Sequence, residues 1–268
     1  TVVSYNGESK LSWAPSSDTT SCTASGGGSG SKSITTGQEI VRGLQKTTTY
    51  IITCTGPGGL IEKSATVKVK PYVDLFALPP ATANETEKVA GQYKIVLGGT
   101  PVLSWSVLNA DGATDSCTPS GWNDGKPLLR SEFVTTSKSL SPLNAHATYS
   151  LSCTNEAGTA EDRMTIKINA PTVTLTADTT SVEYKGNTIL RWSVTDVTSC
   201  TASNGWSGDK GVSGGTYDTG ALTSNHIYRL SCTGPGGTIS KSVTVEARPL
   251  RVITLYFRCS VSSKGADL

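Results

Sequence analysis

The sequence predicts an all-β protein made of three tandem β-sandwich domains. Apolar residues occur in short runs separated by glycine, serine and threonine, as is typical of many short strands joined by turns. A long motif occurs three times, with its tryptophans at Trp13, Trp105 and Trp192. The stretches of sequence between these tryptophans are long enough for each repeat to form a domain with its own core. Two cysteines recur at matching places in every repeat.

The repeated motif has three parts: Leu-x-Trp, then Ser-Cys-Thr, then a tyrosine that lies four residues before a second cysteine. Alternating side chains on a strand face opposite ways, so the leucine and tryptophan share one face. The three parts lie at 11–13, 21–23 and 50–55, at 103–105, 116–118 and 149–154, and at 190–192, 199–201 and 228–233. We therefore expect these core residues: Trp13, Trp105, Trp192, Tyr50, Tyr149 and Tyr228.

Six of the seven cysteines form three pairs, one in each repeat, and the separation of the two cysteines is similar in every pair. The predicted disulfides are Cys22–Cys54, Cys117–Cys153 and Cys200–Cys232. Each would stabilise its domain by roughly 3–4 kcal/mol through the entropy of the closed loop. A zinc site is disfavoured, because the chain has no Cys-x-x-Cys and only two histidines. Disulfides predict a location outside the cytoplasm.

Composition excludes several other classes of protein. The net charge of +2, without a lysine or arginine cluster, argues against a nucleic-acid partner. No apolar run is long enough to span a bilayer. Thr1 does not begin a signal peptide, so the numbering is expected to describe a mature chain. We expect a protein that is secreted or held at the cell surface, with no cofactor.

The threefold motif resembles bacterial immunoglobulin-like modules of extracellular and surface proteins. The resemblance covers residues 1–248 and implies a seven-stranded Greek-key sandwich, without implying one function. The motif departs from the antibody pattern, in which the first cysteine precedes the tryptophan. Here each tryptophan precedes both cysteines of its repeat. The tryptophan is expected on strand B, and the disulfide is expected to join the strand C region to strand F.

The repeats place the domains at residues 1–70, 71–170 and 171–248, followed by a tail at 249–268. Domains 2 and 3 each begin with an alternating strand, Val73–Ala77 and Val173–Ala177, for which domain 1 has no counterpart. The tail repeats that pattern, since Ile253–Phe257 aligns with the two first strands. Domain 1 therefore lacks a first strand, and the tail carries a spare one.

The candidates for chemistry are few, and we expect no enzyme. His146 and His226 are interpreted as loop-end residues. Asp111, Asp115 and Asp124 are interpreted as a solvated loop rather than a calcium site. Trp122 and Trp206 are interpreted as folding over the edges of their own sheets, because both occur at the same place in two domains; if exposed, they would instead stack on host or cell-surface glycans. The glycosylation sequon at Asn84 is interpreted as accidental in a bacterial chain.

The tail suggests the function. Ile253, Leu255 and Phe257 would face a groove in domain 1 of the next copy, with Val252 and Tyr256 pointing the other way. Such head-to-tail contacts build a filament, a homopolymer resembling a pilus. Cys259 is the unpaired cysteine, either a buried thiol or an intermolecular partner. The alternatives are a spacer of a longer surface adhesin and a sugar-binding module.

Overall fold

The computed structural model describes residues 1–78, 92–133 and 136–249. The chain divides into two compact units, residues 1–169 and 170–268. The first unit contains domains 1 and 2, and the second contains domain 3. In the described ranges no helix has the length and apolar character needed to cross a membrane.

Strands dominate all three domains. Domain 1 contains β1 (Val2–Val3), β2 (Gly7–Trp13), β3 (Ser21–Gly26), β4 (Ser31–Lys32), β5 (Gly37–Leu44), β6 (Thr48–Gly56) and β7 (Gly59–Val69). Domain 2 contains β8 (Tyr72–Leu78), β9 (Gln92–Ile95), β10 (Val102–Leu108), β11 (Ser116–Ser120), β12 (Thr136–Ser139), β13 (Ala147–Asn155) and β14 (Gly158–Ile168). Domain 3 contains β15 (Thr172–Ala177), β16 (Ser181–Glu183), β17 (Ile189–Thr195), β18 (Ser199–Asn204), β19 (Gly208–Lys210), β20 (Gly215–Asp218), β21 (His226–Gly234) and β22 (Gly237–Arg248). Two short 3₁₀ turns, Asn123–Gly125 and Arg130–Glu132, lie in domain 2.

Domain 3 is an immunoglobulin-like sandwich of two sheets, with strand orders β15-β17-β20 and β16-β22-β21-β18-β19. It has eight strands where the resemblance implied seven. The first strand is divided: β15 pairs with β17, and after a short connection β16 pairs in parallel with β22 in the other sheet. The short strand β19 extends that second sheet beyond β18.

Domain 2 repeats this arrangement, with strand orders β12-β10-β8 and β11-β13-β14-β9. Its core forms because alternate residues of each strand face inward, including Leu103, Trp105, Leu151 and Ile166, all of which are buried. The core of domain 3 uses the matching positions. The predicted core tryptophans and tyrosines of these two domains, Trp105, Trp192, Tyr149 and Tyr228, are buried.

Each domain contains one disulfide between two adjacent strands of the same sheet. The bonds are Cys22–Cys54, Cys117–Cys153 and Cys200–Cys232, the pairs that the sequence predicts. Each pair lies directly opposite in an antiparallel ladder, β3 with β6, β11 with β13 and β18 with β21. In the immunoglobulin arrangement these are the strands C and F that the sequence assigned to the disulfide.

Domain 1 has the same second sheet, β1-β7-β6-β3-β4, but its first sheet is the pair β2-β5. Among the described residues no strand lies along the other edge of β2, where domains 2 and 3 place β8 and β15. This absence corrects the expectation for Trp13, which is only partly buried. Ala65 on β7 is exposed as well. Tyr50 is buried as expected.

Several predictions concern residues outside the described ranges. The sequon at Asn84 is one of them. The predicted polymerisation strand (Val252, Ile253, Leu255, Tyr256 and Phe257) and Cys259, which is predicted to be unpaired, also lie outside the described ranges.

Candidate functional site

Domain 1 contains an open groove between its two sheets, with a volume of about 720 Å³. The groove follows the free edge of β2, and strands β6 and β7 form its opposite wall. Its inward-facing lining is mainly apolar: Leu11, Trp13, Ala24, Tyr50, Ile52, Ile61, Ala65 and Val67. An open sheet edge beside an apolar cleft can accept one further extended strand.

Matching positions in the three domains show how much the groove leaves uncovered. Leu103 and Leu190 are fully buried, whereas Leu11 is only partly buried. Leu151 and Leu230 on the opposite sheet are also fully buried, whereas Ile52 is not. In domains 2 and 3 the strands β8 and β15 cover these side chains. The groove is thus the space that a first strand fills elsewhere in the chain.

A missing tryptophan enlarges the same space. In domain 3 the Gly205 amide donates to the Ile227 carbonyl, and in domain 1 the Gly27 amide donates to the Thr49 carbonyl. This correspondence aligns Gly28 with Trp206. The Trp206 ring lies 5.5 Å from the Trp192 ring, and domain 2 has a similar pair, Trp105 and Trp122, at 4.6 Å. Trp13 has no such partner, because Gly28 carries no side chain.

The ring of Trp13 is held by the strand beside it. Trp13 pairs with Gly37 in the β2–β5 ladder, and a Cβ at Gly37 would lie 2.4 Å from that ring. The indole Nε1 donates to the Ser33 carbonyl at 3.1 Å. Trp192 has the same relation to Gly215 in domain 3, where a Cβ would lie 2.6 Å from the ring. One face of Trp13 is therefore packed, and the other borders the groove.

The groove ends at an ion pair, in which Lys32 Nζ donates to Glu39 Oε2 at 2.7 Å. Lys32 and Lys210 occupy matching ladder positions, opposite the first cysteines of their domains. In domain 3 Lys210 instead lies over the rings of Trp206 and Tyr217, at 5.0 and 5.2 Å. Domain 1 thus has charged groups where domain 3 has an aromatic cluster.

Burial raises the pKa of the Tyr50 phenol above its usual value, and the negative charge of Glu39 raises it further. Burial likewise raises the pKa of Tyr149 and Tyr228 at the matching positions. All three tyrosines therefore carry a neutral hydroxyl at physiological pH. The Tyr50 phenol therefore adds no charge to the groove wall.

Trp122 and Trp206 pack inside their own domains, as their repetition in two domains indicates. Their exposed fractions are 5 % and 4 %. Each ring folds into its own core, and its Nε1 donates to a backbone carbonyl, Ser150 for Trp122 and Arg229 for Trp206. Neither ring has a free face for stacking on a sugar, so the burial argues against the alternative of a glycan site at these residues.

The remaining candidates take part in local structure. The Ile168 amide donates to His146 Nδ1 at 2.8 Å, and His226 Nδ1 lies 2.8 Å from the Ser224 carbonyl oxygen. In the loop of domain 2 the Gly112 amide donates to the Asp115 carboxylate. Within the described ranges no group of three histidine, cysteine or carboxylate side chains is placed to hold a metal ion.

Sequence reasoning missed a polar junction between domains 1 and 2. The Asn109 side-chain amide donates to the carbonyls of Val69 and Lys70, at 2.6 and 3.2 Å. The Asn155 amide also donates to Val69, at 2.9 Å. Nearby, the rings of Tyr5 and Tyr72 lie 5.4 Å apart. Asparagines in turn positions gave no signal that distinguishes this role from local capping.

No protein-family model matches the chain, and neither does any curated protein. Solved structures match only distantly. A titin fragment of three immunoglobulin domains shows a TM-score of 0.32 at 9 % identity, covering 92 % of this chain and 95 % of that chain. Immunoglobulin domains 1–5 of Sidekick-1 show 0.31 at 14 % identity, covering 93 % and 57 %. Extracellular domains 3–5 of Drosophila OTK show 0.31 at 10 % identity, covering 92 % and 94 %.

Proposed function

We propose that this chain is an extracellular structural subunit that assembles head to tail. The C-terminal segment of one copy, residues 249–268, adds a strand to domain 1 of the next. The observation that carries the proposal is the open edge of β2 beside an apolar groove of about 720 Å³. The same position holds a strand in domains 2 and 3.

The sequence of the tail suits this groove. Ile253, Leu255 and Phe257 alternate with Thr254 and Tyr256, so an extended strand would present its three apolar side chains to one face. Burial of each is worth about 1.5–3 kcal/mol, and the main-chain hydrogen bonds add to this. A contact between two different surfaces of identical chains does not close on itself unless its rotation forms a ring, so it extends into a fibre.

Domains 2 and 3 indicate the register. Leu175 lies opposite Trp192, and Thr174 lies opposite Ser193. Aligning the tail with β15 and domain 1 with domain 3 places Leu255 opposite Trp13 and Thr254 opposite Ala14. Thr174 and Ser193 face outward, and their hydroxyls are 2.6 Å apart. A pair of cysteines at Thr254 and Ala14 would therefore be close enough to bond.

The proposal is tested by crosslinking the full chain. With Cys259→Ser to remove the unpaired thiol, Ala14→Cys and Thr254→Cys are combined and the protein is oxidised. We expect a ladder of covalent oligomers on a non-reducing gel, and filaments in the electron microscope. Ala14→Cys with Tyr256→Cys, two residues out of register, serves as the matched control.

Two results would overturn the proposal. A crosslinked monomer would show that the tail folds onto its own domain 1. Failure of the in-register pair to crosslink at all would show that another segment fills the groove, as in a spacer of a longer surface protein.

A further inference from the structure

We propose that domain 1 selects its strand by size, and that a pocket at Ala65 receives the aromatic ring of Phe257 from a second copy. The inference rests on the proposed function, because it takes residues 249–268 as the entering strand. The inference adds that two positions, Ala65 in the groove and Phe257 in the tail, determine specificity. They distinguish the tail from the first strands of domains 2 and 3.

Domain 2 shows which residues lie across the sandwich from its first strand. The Leu75 amide on β8 donates to the Asp162 carboxylate on β14 at 2.8 Å, so the two strands are adjacent at this point. Two residues further along each strand are Ala77 and Met164, both buried in the same core. A small residue on the first strand thus accompanies a large residue on β14.

Domain 3 shows that the first strand and the last strand run in the same direction. After β15 the chain continues into β16, which pairs in parallel with β22, Ser181 opposite Glu246. Ala177 and Val243 occupy the ladder positions of Ala77 and Met164, and both pack against the core of domain 3. Here too the residue on the first strand is alanine, and its counterpart on the last strand is larger.

Domain 1 reverses the sizes. Ala65 occupies the position of Met164 and Val243, as their shared pairing with Tyr50, Tyr149 and Tyr228 shows. Ala65 is exposed and lines the groove. In the tail Phe257 occupies the position of Ala77 and Ala177. A large residue on the entering strand would therefore meet a small residue on β7.

Gly28 provides further room on the same wall. A Cβ at Gly28 would lie 3.7 Å from Tyr50 Cδ1, and Tyr50 itself pairs with Ala65 across the β6–β7 ladder. Ala65, Tyr50 and Gly28 therefore form one continuous wall without bulky aliphatic groups. A strand of the Val-x-Leu-x-Ala type would leave this space empty, and cavities of that size are unfavourable in a packed interior.

The pairing predicts a size swap that can be tested in the full chain. Phe257→Ala should weaken head-to-tail association at least about tenfold, through the loss of buried ring surface. Ala65→Met should weaken it to a similar extent by filling the pocket. The double variant, which copies the Ala77 and Met164 combination of domain 2, should regain most of the affinity. An equimolar mixture of the two single variants should also associate, because each tail then finds a matching groove.

Sedimentation over a range of concentrations measures the association, and circular dichroism confirms that each variant is folded. Ile227→Ala, at an exposed position of domain 3 away from the groove and the tail, is the control that should leave association unchanged. If the wild-type chain does not associate through its tail, the proposed function fails. If it does, but Phe257→Ala has no effect or the folded double variant and the mixture stay dissociated, size selection at Ala65 is wrong.

Discussion

The side-chain amide of Asn109 donates a 2.6 Å hydrogen bond to the carbonyl of Val69, the last residue of domain 1's final strand. Asn155 donates to the same oxygen at 2.9 Å and to the Asn109 carbonyl at 2.8 Å. The two amides close a small network around the connection between domains 1 and 2. Such a network fixes the direction in which domain 2 leaves domain 1, because satisfied buried hydrogen bonds hold a single geometry.

We expect Asn109→Ala to lower the free energy of unfolding by about 1–3 kcal/mol, since it removes hydrogen bonds from partly buried carbonyls. Asn155→Ala should cost a similar amount. Together they should cost less than the sum, because both amides donate to Val69. Urea unfolding of the two single variants and the double variant measures this coupling. Strictly additive losses would show that the two asparagines act independently.

A second prediction compares matched disulfides. Cys22–Cys54 and Cys200–Cys232 each close a loop of the same sequence separation, 32 residues, so each is expected to contribute about 3–4 kcal/mol. The cores differ, because among the described residues no strand lies along the free edge of β2 in domain 1, and Gly28 stands there at the position of Trp206. Replacing Cys22 and Cys54 with alanine should therefore unfold domain 1, whereas replacing Cys200 and Cys232 with alanine should leave domain 3 folded. Limited proteolysis with mass mapping identifies the domain that is cut first, and preferential cleavage of domain 3 would contradict this reasoning.

The sequence predicted the main features of the fold because these depend on local patterns. Alternation placed Leu103 and Trp105 on one face, and paired spacing identified Cys117 with Cys153. These features repeat three times, so each copy supports the others.

Other features could not be predicted from the sequence. Trp122 and Trp206 follow glycines in turns, and only the folded loop shows that their ring nitrogens donate to the carbonyls of Ser150 and Arg229. The consequence of Gly28 also required the structure, since a glycine in a glycine-rich run has no sequence feature that marks a missing ring. The Asn109 junction depends on two residues far apart in the chain, and no local pattern records that proximity.

The tryptophan pair provides a third prediction. Trp206→Ala should destabilise domain 3 by about 3–5 kcal/mol, because it leaves a cavity beside Trp192, Tyr217 and Tyr228. Trp13→Ala in domain 1 is the matched control and should cost less, since Trp13 is only partly buried and has no paired indole. Hydrogen exchange resolved by domain measures both losses. A larger loss for Trp13 would mean that the groove of domain 1 is filled in the free protein.

The fourth prediction concerns acid stability and the ion pair on the surface of domain 3. Arg191 donates two hydrogen bonds to the Asp178 carboxylate, at 2.7 and 2.9 Å, and these lower the pKa of Asp178 below its usual value. A carboxyl group whose pKa is lowered by folding stabilises the folded state above its unfolded pKa. That contribution disappears as the pH falls through the folded value. The pair should thus stabilise domain 3 above about pH 4 and progressively less below it.

Asp178→Asn tests this prediction. The difference in unfolding free energy between the wild type and the variant should be constant near neutral pH and shrink as the pH falls below about 4. Asp218, whose pKa is lowered by hydrogen bonds from the Asn187 side chain and the Gly220 amide, titrates in both proteins and cancels in the difference. The effect should be small and should weaken in high salt, because both partners are exposed to solvent. Urea unfolding at a series of pH values measures it, and a difference that grows in acid would show that Arg191 does not stabilise the ionised carboxylate.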